Sequence, residues 1–206
     1  MISRIFLTIL LVASVIFIVK EGPASAQPSS AAQANSTSGH RLADSMQAKL
    51  DHIRQNGEQP RPNQMPTVMT EEEVNDYVAS DHIELPKGVT KLRFEGRSGV
   101  VTAFLNVDFD EIRGGQKSPN PMLAVFSGQH DVRVEASAAG SGGQGKVSVH
   151  EVTIDGFSVP RMALEYFVSK YITPKYPNIG IDSDFQLPNK IDLATVGYHK
   201  LTVTQK

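Results

Sequence analysis

Several groups of residues carry side chains capable of chemistry, and each chemistry makes a structural demand on its surroundings. Gly140-Ser141-Gly142-Gly143-Gln144-Gly145 matches G-x-G-x-x-G, the spacing in which glycine amides hold a pyrophosphate at the start of a helix. Strand-like alternation through Val147 and Val149 follows instead of a helix, so a hairpin loop is expected there and nucleotide binding is not. Ser127-Gly128-Gln129-His130-Asp131 gathers a hydroxyl, an imidazole and a carboxylate. Adjacency in sequence is not the geometry of a catalytic triad, however, and the chain has no G-x-S-x-G elbow. Asp108, Asp110 and Glu111 fall at a strand end, where carboxylates suit a hard cation, but the EF-hand order is missing and a solvated strand end accounts for them. The six histidines, His40, His52, His82, His130, His150 and His199, are scattered without H-E-x-x-H or an i, i+4 pair, a pattern that argues against zinc. The expectation is a non-enzymatic protein with no catalytic residue, metal or cofactor.

The elements that would position these groups can be read in turn. Thr70 precedes Glu71-Glu72-Glu73. Its hydroxyl can therefore accept from the Glu73 amide while the Glu73 carboxylate accepts from the Thr70 amide, a capping box with Met69 and Val74 as hydrophobic staple. A helix over 71–80 follows, with Val74, Tyr77 and Val78 on its docking face. From Lys91 the apolar period becomes two: Leu92 and Phe94, a turn between Gly96 and Gly99, then Val101, Ala103, Leu105, Val107 and Phe109 along one face of a long strand. The run 122–126 is expected to form a helical turn across the end of the sheet. Val132, Val134, Ala136 and Ala138 resume the alternation, as do Val147 and Val149, and at His150-Glu151 the phase slips so that Val152 and Ile154 become the apolar positions. A slip of one residue marks a β-bulge and bends the sheet.

Pro160 then opens the strongest helix, 161–172, with Leu164, Phe167, Val168 and Tyr171 at i, i+3, i+4 and i+7, and Pro174 ends it. Strand-like pieces at 179–181, 191–196 and 198–204 close the chain. This order predicts an α+β single domain over 67–206, a strongly curved antiparallel sheet wrapped around a helix. Ahead of it, 27–66 reads as a tether. Residues 27–39 have no large apolar side chain, Leu42, Met46, Leu50 and Ile53 mark a short amphipathic helix ended by Asn56-Gly57, and Pro60, Pro62 and Pro66 stiffen the connector.

Composition and the N-terminus set the address. Arg4 precedes a run of apolar character from Ile5 to Val19, and Ala24-Ser25-Ala26 matches a small-x-small cleavage site, so 1–26 is expected to be a signal peptide for periplasmic or secreted export. The alternative is an uncleaved apolar anchor, although roughly 15 residues fall short of the ~20 that span a bilayer. Cleavage would remove Arg4, Lys20 and Glu21, taking 20 basic and 22 acidic residues to 18 and 21, a net charge of −3. That near-neutral balance suggests neither nucleic acid nor an anionic membrane surface as an electrostatic partner. The chain has no cysteine, so neither a disulfide framework nor a lipidated thiol holds it.

A curved sheet facing an aromatic-rich helix can close into a filled core or leave an apolar groove. Leu92, Phe94, Leu105, Phe109, Leu164, Phe167, Val168 and Tyr171 are the large apolar residues expected to face inward, and so the candidate ligand-binding residues. The order of motifs is similar to exported or membrane-anchored bacterial proteins of the YpmS-like and LmeA-like families, whose domains look like half of a tubular lipid-binding (TULIP-like) module. The pieces that carry the resemblance are Thr70-Glu71-Glu72-Glu73-Val74-Asn75-Asp76-Tyr77, the strand ending Asn106-Val107-Asp108-Phe109, and Val152-Thr153-Ile154-Asp155-Gly156-Phe157-Ser158-Val159-Pro160 leading into a helix. The resemblance implies a curved sheet around a helix and a role in binding envelope lipids, with membrane contact possible. It brings no catalytic residues. A hydrophobic small molecule or lipid is thus the expected partner. The alternative is a non-catalytic structural or adaptor protein of the bacterial envelope, with a closed core and a protein partner.

Overall fold

Apolar and polar residues alternate along most of the strands, leaving each with one face that must be covered, and the chain covers that face with helices taken from both sides of the sheet in sequence. The computed structural model describes residues 41–115, 120–176 and 180–206; the expected signal peptide and the segment 27–39 lie outside these residues. The order is α1 (Arg41–Glu58), β1 (Thr67–Thr70), α2 (Glu71–Ala79), β2 (Val89–Arg97), β3 (Val100–Asp108), α3 (Phe109–Ile112) and a 3-10 turn at Pro121–Leu123. It continues with β4 (Gln129–Ser141), β5 (Gln144–Ile154), β6 (Phe157–Ser158), α4 (Arg161–Phe167) running into a π-helical turn (Val168–Ile172), β7 (Asp182–Gln186), β8 (Ile191–Gly197) and β9 (Lys200–Gln205). The fold is α+β with one open antiparallel sheet of nine strands.

β2, β3, β4 and β5 form a meander. β4 is the hub, because its last residues outrun β3 and there Ala139 and Gly140 pair with β8 instead. β8, β9 and β1 therefore continue past the β2–β3 turn, stitched to it by Gly99 N–H donating to Val196 O and His199 N–H to Gly96 O. On the far edge of β5, β7 pairs at one end and β6 at the other. Between them lies the bulge expected from the phase slip: Glu135 pairs with Glu151 and Ala136 with Val149, leaving His150 as the extra residue. One face of the sheet joins a single apolar core with the helices. The opposite face carries ion pairs such as Arg133 with Glu135 and Glu151, and the Arg93 guanidinium lies 4.5 Å from the centre of the Phe104 ring.

The capping box is present, with Thr70 and Glu73 exchanging bonds at the start of α2. α2 then closes the edge of β2: the Asn75 amide donates to Phe94 O at 2.8 Å and accepts from Phe94 N–H at 2.7 Å, doing for one residue what a neighbouring strand would do.

The structure corrects several boundaries. α1 is an 18-residue helix belonging to the packed unit rather than to a tether: Ala43, Met46, Leu50, Ile53 and Asn56 are buried and Leu42 is exposed. The buried stripe starts on a small residue, which made Leu42 the more conspicuous neighbour. The helix also runs through Asn56-Gly57, because the Asn56 side chain is drawn inward to Gln205 and to the backbone of Asn63. Phe109 opens α3 instead of ending a strand, since the Asp108 carboxylate accepts from the amides of Asp110 and Glu111 and turns the chain. The last edge strand is Asp182–Gln186, polar in sequence and held by pairing with β5, not the apolar piece expected just before it. The glycine-rich stretch is no loose loop either. Gly142 and Gly143, both at positive φ, make a two-residue turn, and a Cβ on Gly145 would stand 2.4 Å from the Phe185 ring.

Candidate functional site: an apolar cavity under α4

α4 stands over the half of the sheet formed by β3, β4 and β5, with Ala163, Phe167, Val168, Tyr171 and Ile172 buried beneath it. Thr173 N–H bonds back to Val168 O at 2.8 Å, the five-residue reach of a π-helical turn, a feature frequent at functional sites. Between helix and sheet lies a cavity of about 330 Å³. Its sheet side is built mainly of valine and its helix side is aromatic and aliphatic. Phe126 and Phe167 stack with centroids 4.3 Å apart, and the Phe109 ring meets both edge-on at 5.4 and 5.6 Å. Such edge and stacked contacts fix the rings, so they frame open space instead of collapsing into it.

Six of the eight residues expected to face a groove line this cavity: Leu105, Phe109, Leu164, Phe167, Val168 and Tyr171. Leu92 and Phe94 do not. Both are buried in β2, opposite Leu105 and Ala103. The reading missed Val107, Phe126, Val132, Val149, Val152 and Ile154, which also line it. For the strand residues the inward alternation was visible, but choosing only the largest side chains passed over the valines whose short reach leaves the space, and Phe126 sits just past a 3-10 turn, outside any alternation.

Among the lining residues, the exposed ones are Lys87, Glu111 and Lys175. They mark the mouth, where the Lys175 ammonium donates to Ile112 O at 2.8 Å and ties the chain after α4 to α3. One fully buried polar atom stands out among the lining residues. The Tyr171 side chain is 5% exposed and its hydroxyl has no hydrogen-bond partner among the described residues. An unmet buried hydroxyl costs about 1–3 kcal/mol.

The residues that suggested chemistry have other roles. His130 Nδ1 lies 2.5 Å from the Asp155 carboxylate and Nε2 2.7 Å from the Ser127 carbonyl oxygen, while the Ser127 hydroxyl donates to Ala124 O. Imidazole and hydroxyl therefore do not meet. The bond to Asp155, aided by the Ser127 carbonyl, raises the His130 pKa above its ordinary value, and the same bond lowers that of Asp155. Asp108 is spent on capping α3, and Asp110 pairs with Arg113 and accepts from Gly128 N–H. Among the described residues no three acidic or histidine side chains converge on a point that could hold a metal ion. No described helix is long and apolar enough to cross a membrane.

Fold and cavity together define a class: an α+β protein whose curved antiparallel sheet and covering helix enclose an apolar chamber with a charged mouth. No known family, curated protein or solved structure matches the chain.

Proposed function

We propose that this protein binds a hydrophobic ligand, a lipid or a lipid-like molecule, in the cavity under α4, and that it does so as an exported, non-enzymatic protein of the bacterial envelope. The observation that carries the reading is the open volume itself. At about 330 Å³ it lies at the lower end of ligand pockets, ~300–1,000 Å³, and more than twice the ~150 Å³ at which an apolar cavity stays dry and accepts a small hydrocarbon. The likeness in motif order to tubular lipid-binding domains points the same way. Its exported address rests on the sequence of residues 1–26.

The second reading is a non-catalytic envelope adaptor, favoured by the exposed Phe157, Met162 and Tyr166 on and beside the outer face of α4. Native mass spectrometry of protein taken from its own envelope, followed by organic extraction, separates the two. A stoichiometric hydrophobic adduct is expected. An empty, folded protein that also refuses added lipid would leave the adaptor reading standing.

A further inference from the structure

On β4, His130 stands two residues before Val132 and opposite Val107, both of which line the chamber, so alternation puts it on the same inward face at the chamber's end. Its ring lies 6.1 Å, centre to centre, from that of Phe109. One ring nitrogen meets Asp155 on the turn between β5 and β6 and the other meets the Ser127 carbonyl. Ser127 follows Phe126, a lining residue, and Gly128 exchanges bonds with α3, whose single turn brings Phe109, Glu111 and Ile112 to the chamber. His130 therefore holds, through one short loop, a wall of the chamber and one side of its mouth. That hold depends on charge. An imidazolium donates to both oxygens, whereas a neutral ring that donates to the Asp155 carboxylate turns a lone pair toward the Ser127 carbonyl.

The charged groups on the surrounding elements are engaged elsewhere, which leaves Asp155 to govern the ring. Asp131 accepts from Asn106 on the opposite face, Asp108 caps α3, and Asp110 pairs with Arg113. On β5, Glu151 accepts from Arg133 and Ser158; on α4, Glu165 pairs with Arg161, and the Lys170 ammonium lies near the Tyr166 and Tyr171 rings. Glu111 and Lys175 stand at the mouth, and the loop 124–128 carries no charge.

Resting on the cavity reading above, we propose that α3 and the loop 124–128 form a pH-dependent gate: protonated His130 holds them against a bound ligand, and neutral His130 loosens them and speeds its exit. The bond to Asp155, aided by the Ser127 carbonyl, raises the pKa of the ring above its ordinary 6.5. The gate is therefore fastened below that value and loosens as pH rises through the raised one. The tie from the Lys175 ammonium to Ile112 O keeps its charge throughout this range, so the mouth end of α3 stays anchored while the loop side moves.

Stopped-flow release of N-phenyl-1-naphthylamine from the full, delipidated chain between pH 6 and pH 9 tests this, because the probe is apolar, fluorescent and uncharged across that range. Release is expected to be roughly threefold faster or more at pH 9 than at pH 6, a small part of a barrier on the scale of one hydrogen bond. His130→Asn is expected to remove the step. Asp155→Asn, at a position with φ of 50° that asparagine also adopts, is expected to keep the step and move its midpoint to lower pH. Melting curves establish that each variant is folded where its release is read. A wild-type rate that does not change with pH overturns the gate, as does a step that survives His130→Asn or keeps its midpoint in Asp155→Asn; the bound probe then leaves the cavity reading intact. If the probe binds at no pH, the cavity reading fails and the gate fails with it.

Discussion

The two ends of the sheet cover the same kind of surface and finish it differently. Where α1 and α2 meet β1, β8 and β9, the side chains interlock until Ala43, Met46 and Met69 are wholly buried and Ile53, Ile191 and Val203 nearly so. Unbranched methionine bends into irregular gaps. Polar pairs then fix the fit: Asn56 donates to Gln205 at 2.8 Å, Gln205 donates to Ile53 O at 2.7 Å, and the Glu73 carboxylate takes bonds from Lys49, Ser45 and Thr70. Under α4 the partners are short valines and flat rings held by one another, neither of which can bend to close a space. Apolarity is therefore common to both ends, and what distinguishes a filled core from a chamber is the shape and stiffness of the residues that face each other.

The largest effect expected from this contrast is at the filled end. Met46→Ala, in a site with no room to relax, should cost about 2–5 kcal/mol in urea unfolding. Adding volume should separate the two ends in the opposite sense. Ala43→Leu has to displace neighbours and should cost about 1–3 kcal/mol. Val149→Leu extends into open space and should cost less than about 1 kcal/mol, while reducing ligand uptake. Equal destabilisation by the two leucines would mean that the chamber is closed in solution.

Much of the frame was legible. Period two from Lys91, the Thr70–Glu73 capping box, the bulge at His150 and the apolar face of α4 all follow from local spacing, and all are found. What failed depends on partners distant in sequence. α1 is in the core because Gln205, 149 residues on, meets Asn56, and β7 is a strand because β5 offers it an edge. Local spacing gives α1 an apolar stripe but not the surface that covers it, and gives β7 no stripe at all. For the site, residue type found the aromatic wall and overreached on Leu92 and Phe94, because alternation gives the face of a strand but not which end of the sheet a helix leaves uncovered.

A smaller effect tests the polar lock of the filled end. Burial opposes ionisation of Glu73, but the bond from the Lys49 ammonium, with those from Thr70 and Ser45, outweighs it and holds the carboxyl below its ordinary pKa. A lowered carboxyl pKa stabilises the fold above the unfolded value and ceases to do so as pH falls through the folded one. Glu73→Gln should therefore lose about 1–2 kcal/mol at pH 7, and the difference from wild type should shrink toward pH 3. A constant difference would assign the loss to packing.

The last and smallest effect belongs to the chamber end, and it arises from a histidine with both ring nitrogens facing acceptors. Protonated, His130 donates to Asp155 and to the Ser127 carbonyl together. Neutral, it has one proton to give and must turn a lone pair toward the other oxygen. Its raised pKa means that this stabilisation is complete below the unfolded value near 6.5 and is lost as pH rises through the folded value. The lowered pKa of Asp155 means that its share is present above the ordinary carboxyl value and is lost as pH falls through the folded one. The pair is thus most stabilising between roughly pH 4 and 6.5. The consequence is local, because the Ser127-Gly128 segment held by His130 also holds α3, through Phe109 N–H to Gly128 O at 2.9 Å and Gly128 N–H to Asp110 at 3.2 Å. Hydrogen exchange, corrected for intrinsic rates, should therefore show the amides of 109–113 losing protection above the His130 pKa while those of 203–205, locked by the filled end, keep theirs. His130→Asn should abolish the difference; a pH step at 109–113 that survives this substitution would place its origin in another group.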